Sequence, residues 1–174
     1  SNFNKSDLFF AIYQQPFKAV ITDERMVSCN GLSDGMLAVT PYFGRPPYTY
    51  NWSHDAALHD PVADTLPAGT YTVTITDAND STASIAGVVT QAAALAIDSA
   101  ITPVTCYNNG QDGAIDITVS GGTKKGDYSY YWTTINGNGI VPLNQDQPGL
   151  AAGTYMVQVK DANQCTITED FTVL

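Results

Sequence analysis

The sequence is written twice, and any fold it adopts must accommodate two copies of one unit. Leu66–Thr82 (LPAGTYTVTITDANDST) aligns without a gap to Leu150–Thr166 (LAAGTYMVQVKDANQCT), sharing Leu, Ala, Gly-Thr-Tyr, Val, Asp-Ala-Asn and Thr. Tyr48-Thr49-Tyr50-Asn51-Trp52 corresponds to Tyr128-Ser129-Tyr130-Tyr131-Trp132. Cys29-Asn30-Gly31-Leu32-Ser33-Asp34-Gly35 corresponds to Cys106–Gly113 with one inserted residue. The blocks keep their order. Copy two is longer between its Trp and its Leu-x-Ala-Gly, which marks a surface loop, since loops absorb insertions and packed strands do not.

Each copy reads as short strands. Tyr71, Val73 and Ile75 alternate with threonines, the period-2 pattern of a half-buried strand. Tyr155, Val157 and Val159 do the same in copy two, as do Ile115, Ile117 and Val119. Tyr48, Tyr50 and Trp52 share one face of another strand, and Trp52 and Trp132 are assigned to the two cores. Asp77-Ala78-Asn79 and Asp161-Ala162-Asn163 supply turns, because Asp caps the backbone that follows it and Asn tolerates left-handed φ. Ser81–Val89 and Cys165–Leu174 complete the hairpins. Short strands at this spacing, in units of about 80 residues, predict an all-β chain of two tandem immunoglobulin-like antiparallel β-sandwich modules. The expected division is residues 17–97 for the first module and 98–174 for the second. Residues 1–16 are expected to be the tail of a preceding repeat or a leader added for expression. The Ala-rich Gln91–Ile97 is read as linker running into the first strand of module two.

Composition agrees. Of 17 acidic residues only Glu24 and Glu169 are Glu, and Asp favours caps and turns over helix interiors. The net charge of −10 argues against nucleic acid and anionic membrane surfaces, both of which are held by clustered Lys and Arg. No apolar run approaches the roughly 18 residues a membrane helix needs. The N-terminus carries no signal-peptide pattern, so the chain reads as a segment of a longer protein.

The blocks resemble the SprB repeat of Bacteroidetes surface proteins, named for a gliding-motility adhesin. The resemblance rests on Val27-Ser28-Cys29-Asn30-Gly31 with Asp34-Gly35, Pro47 to Ser53, and Leu66 to Asn79 in copy one. In copy two it rests on Val104-Thr105-Cys106, Asp112-Gly113, Gly121-Gly122-Thr123, Tyr128 to Trp132, and Leu150 to Cys165. Ser81 replaces the second family cysteine in copy one, and Lys124-Lys125-Gly126-Asp127 replaces the prolines before Tyr128. The resemblance implies a secreted, cell-surface tandem-repeat protein exported by the type IX system, with no catalytic residue. Cys106 and Cys165 occupy the two family cysteine positions, which implies a disulfide between them and leaves Cys29 opposite Ser81. The implied partners are neighbouring repeats of the same chain, and extracellular polysaccharide or surface proteins.

Other residues carry candidate chemistry. Asp34, Asp112, Asp77 with Asp80, and Asp161 are oxygen donors of the kind Ca²⁺ takes, but no D-x-D/N-x-D/N-G loop is present, and backbone capping in turns is the simpler role. No cofactor is expected otherwise. His54 and His59 fall short of the four ligands of a structural zinc site and are read as part of a solvated loop. Tyr42, Phe43, Tyr107 and Tyr131 fall outside the inward register, where a ring stacks on sugar, forms an interface or anchors a loop. Asp55, Asp60, Asp64 and Asp80 are particular to copy one and have no folding role in the repeat pattern. No nucleophile elbow, zincin, Cys-x-x-Cys or phosphate-loop motif is present. The expected function is a non-catalytic stalk or spacer of a surface adhesin, with a glycan- or protein-binding module, or an accessory domain of a polysaccharide enzyme, as the alternatives.

Overall fold

The computed structural model describes residues 15–105 and 110–174. Among the described residues there are twelve strands: β1 Lys18–Arg25, β2 Gly35–Tyr42, β3 Thr49–Trp52, β4 Val62–Leu66, β5 Gly69–Thr76, β6 Thr82–Val89, β7 Ala96–Thr102, β8 Gly113–Ser120, β9 Ser129–Thr134, β10 Gln147–Leu150, β11 Gly153–Lys160 and β12 Thr166–Val173. They form four three-stranded sheets, β1-β2-β4, β3-β5-β6, β10-β8-β7 and β12-β11-β9. The rule is the same in each set of six: the first, second and fourth strands make one sheet, and the third, fifth and sixth make the other. This is the strand partition of the immunoglobulin sandwich, and the chain is all-β with two immunoglobulin-like modules in tandem. Two compact units are distinguishable. One holds the described chain up to Glu24, Met36–Asp64 and Thr70–Val88; the other holds Arg25–Gly35, Thr65–Gly69 and Val89–Leu174.

In the second unit the inward register puts Ile115, Ile117 and Val119 of β8 and Leu150 of β10 into one core with Trp132, Tyr155, Val157, Val159, Phe171 and Val173. These residues come from both sheets, so the apolar faces of two antiparallel layers close on each other. Trp132 is 1% exposed and its ring lies 5.7 Å from that of Phe171. Its indole N–H donates to the Asn144 carbonyl at 2.9 Å, satisfying the ring's polar atom at the core edge. Tyr155 makes a tyrosine corner, its hydroxyl donating to the Ala151 carbonyl at 2.7 Å. The same hydroxyl accepts from Asn138 N–H at 3.1 Å, pinning the long loop that follows β9.

In the first unit Leu37, Val39, Trp52, Ala63, Tyr71, Val73, Ile75 and Ala83 are buried. Trp52 sits opposite Val73 in the β3–β5 register, and its indole N–H donates to the Asp60 carbonyl at 2.9 Å. That bond gives Asp60 a structural role through its backbone. Asp55 also has one: its carboxylate accepts from Ala57 N–H at 2.8 Å. Gln91–Leu95 leads into β7 with no helical turn.

Candidate functional site

The chemistry-bearing residues of the repeat converge on two small constructions, each made twice. The first is the Asp-Ala-Asn turn. Asp77 Oδ2 accepts from Arg45 N–H at 3.0 Å, and its Oδ1 accepts from Asn79 and Ser81 N–H, both at 2.9 Å. Asp161 Oδ2 accepts from Thr123 N–H at 2.7 Å, and its Oδ1 accepts from Asn163 at 2.8 Å and Cys165 at 2.9 Å. One carboxylate thus closes the turn and ties it to the loop before the tyrosine-bearing strand. The residue before the final N–H donor, Asp80 or Gln164, takes left-handed backbone with φ of 60° or 66°. Both carboxylates are buried, at 7% and 3% exposure, and are satisfied by backbone donors. The bonds from Arg45 N–H, with others from the turn, hold the Asp77 carboxyl below its ordinary range.

The second construction is the loop before β2 or β8. Asp34 accepts from Ser28 N–H at 3.0 Å, and Asp112 accepts from Thr105 N–H at 2.7 Å and from the Thr105 hydroxyl. The side-chain bond from Ser28 or Thr105 is the main cause holding each carboxyl below its ordinary range. These four aspartates act as backbone caps. Among the described residues, no group of three or more His, Cys, Asp or Glu side chains is arranged to hold a metal ion.

The disulfide corrects the expected pairing. Cys165 is bonded to Cys29, 136 residues away, with Cα atoms 5.6 Å apart. Its sulfur is therefore not available to Cys106, which lies outside the described residues. The reason is local geometry: Cys165 sits where the Asp161 turn enters β12, and the Ser28–Cys29 backbone lies against that turn. Asn163 Nδ2 donates to the Ser28 carbonyl at 2.9 Å. Asn30 Nδ2 donates to the Ala92 carbonyl and Gly31 N–H to Gln91 Oε1, both at 2.8 Å. Cys29, Asn30 and Leu32 then face Ala92–Leu95 and Ile167 across a cleft of about 420 Å³. Sequence reading missed the roles of Ser28 and Asn163; their signal was present in the repeated blocks, but not the fact that one block meets the other.

The remaining candidates are dispersed. Tyr42 and Phe43 are 42% and 57% exposed, with Lys18 Nζ at 5.7 and 5.5 Å from the two ring centroids. Tyr131, 56% exposed, borders a small cleft with Leu143, Gln158 and Lys160. Tyr107 lies outside the described residues. His54 is more than a solvated loop residue: it meets Tyr71 edge-on at 5.0 Å and Trp52 at 6.0 Å. His59 Nδ1 lies 3.0 Å from the Tyr50 carbonyl oxygen. Gln147 was not anticipated at all. It is fully buried, with Oε1 accepting from Val141 N–H at 2.7 Å and Nε2 donating to the Val141 and Asn144 carbonyls at 2.9 and 3.1 Å.

Fold and site together define a tandem immunoglobulin-like repeat whose polar residues hold backbone. The SprB repeat family model matches two successive segments of the chain, residues 26–57 and 99–137. No curated protein matches the chain. Among solved structures, it is similar to a C-terminal 282-residue fragment of intimin, solved in complex with the intimin-binding domain of the translocated intimin receptor. That similarity has 16% identity and a TM-score of 0.45, covering 88% of this chain and 64% of the fragment. It is also similar to DIP-gamma IG1+IG2, at 10% identity and a TM-score of 0.42, covering 92% of this chain and 97% of that one. For Drosophila OTK extracellular domains 3–5 the figures are 10%, 0.33, 92% and 62%.

Proposed function

We propose that this chain is a non-catalytic repeat segment of an extracellular adhesin of the Bacteroidetes type, exported by type IX secretion, in which the repeats serve as a stalk or spacer. The observation that carries the reading is where the polar chemistry goes. Asp34, Asp77, Asp112 and Asp161 accept backbone N–H groups, and a disulfide joins Cys29 of copy one to Cys165 of copy two. Stacked modules of this kind place a binding tip away from a surface. The SprB repeat match supports an extracellular, adhesin-type repeat, and among the described residues no helix is long and apolar enough to cross a membrane. A glycan array and a pull-down against surface polymers test it, with no saturable binding expected.

A second reading, a glycan- or protein-binding module, is favoured by Tyr131. Its exposed ring lies on the outer face of β9 directly opposite Gln158 of β11, a flat platform with amide and ammonium groups beside it. Saturable binding to a glycan that Tyr131→Ala abolishes would select this reading over the spacer.

A further inference from the structure

The Asp161 turn has an occupant, the Ser28–Cys29 backbone, and the Asp77 turn has the same construction with its corresponding side chains exposed. In copy two, Asn163 holds the Ser28 carbonyl and Cys165 is bonded to Cys29. In copy one, Asn79 and Ser81 stand at the positions of Asn163 and Cys165, and both are exposed. The frames match bond for bond: Ala78 N–H donates to the Arg45 carbonyl at 2.8 Å where Ala162 donates to Thr123 at 3.2 Å. A cleft of about 660 Å³ opens beside the Asp77 turn, lined by Pro16, Phe43, Asn79 and Ser81 among others.

Two residues distinguish this cleft. Ser81 removes the sulfur. Phe43 has φ 65° where the corresponding Gly121 has φ 79°, and a bulky side chain in left-handed backbone is disfavoured by about 1–2 kcal/mol. The ring is nonetheless held half-exposed at the rim, the kind of local strain that marks recognition sites.

We propose that the Asp77–Ser81 turn, with Phe43 at its rim, is a docking socket for the Val-Ser/Thr-Cys loop of another repeat of this kind. The inference rests on the tandem-repeat reading above. The occupant is chosen by what fills the equivalent surface: Ser28–Cys29 on the Asp161 turn. Each repeat would then offer its cysteine loop to the Asp-Ala-Asn turn of the next, and Ser81 makes this junction non-covalent. Such a contact is heterologous, so it propagates linearly and does not close into a dimer. Within one polypeptide a weak contact suffices, because a short tether gives an effective concentration of about millimolar.

Trapping the contact between separate molecules tests it. By sequence correspondence with Cys29, Cys106 is this chain's own donor. The variant S81C, in the full chain under a glutathione redox buffer, is expected to form reducible head-to-tail multimers whose linked peptides join position 81 to Cys106. The double variant S81C/C106S is expected to remain monomeric. Circular dichroism and thermal melts of both variants check that the fold is kept, which the exposure of Ser81 favours. A folded S81C that stays monomeric, or that links only position 81 to position 81, overturns the socket. Either result leaves the glycan and pull-down test of the spacer reading untouched.

Discussion

Asn163 donates its side-chain amide to the carbonyl of Ser28 at 2.9 Å, next to the bond joining Cys29 and Cys165. Residues from the start of copy one and the end of copy two are thereby held together by a hydrogen bond and a covalent bond. The Asp161 carboxylate shapes the turn under both.

Replacing Asp161 with Ala leaves the N–H groups of Thr123, Asn163 and Cys165 without their acceptor. Unsatisfied buried donors cost about 1–3 kcal/mol each when water does not reach them. A loss of at least about 2 kcal/mol is expected in urea unfolding, with a much smaller loss for surface Asp98→Ala. Equal, small effects would mean the turn is not held by its carboxylate.

Asp34, Asp77 and Asp112 have carboxyl groups held below the ordinary range in the folded chain. A depressed folded value means their stabilisation is fully present above the unfolded value of about 3.9 and is lost as pH falls through the folded values. Melting temperature is therefore expected to be flat near neutral pH and to fall below about pH 4. Asp34→Asn and Asp112→Asn should flatten that acid limb. A chain equally stable at both ends of the range would contradict the capping role.

Tyr155→Phe removes the hydroxyl that donates to Ala151 and accepts from Asn138. The core ring remains, so the expected cost is about 1–3 kcal/mol. Hydrogen exchange should rise in residues 136–151 before it rises in β11.

Gly121 and Phe43 make a reciprocal pair of tests. An added Cβ at Gly121 would lie 1.8 Å from the Ala94 carbonyl oxygen, and the residue has φ 79°. Gly121→Ala is expected to cost more than about 1 kcal/mol, whereas Phe43→Gly relieves left-handed strain and should change stability by less than about 1 kcal/mol. Thermal melts of the two variants decide it.

Much of the fold was readable because strand period and burial coincide. Tyr71, Val73 and Ile75 are buried as their alternation requires, as are Tyr155, Val157 and Val159. Strands β4 and β10 were not readable, because neither alternates. Thr65 breaks β4 with φ 55°, and the β10 register shifts between Pro148 and Leu150. Buried Gln147 looked like a loop residue because its partners are backbone groups of a loop. The roles of the repeated aspartates were legible, since capping is local. The partner of Cys165 was not: three cysteines allow three pairings, and only long-range geometry chooses among them.

That choice is also the most direct test. A disulfide closing a loop of this length contributes about 2–5 kcal/mol, so Cys29→Ser should destabilise the chain measurably. The decisive measurement is mass-spectrometric peptide mapping of the unreduced protein. The expected result is a linked pair of peptides containing Cys29 and Cys165. A Cys106–Cys165 pair, or three free thiols, would contradict it.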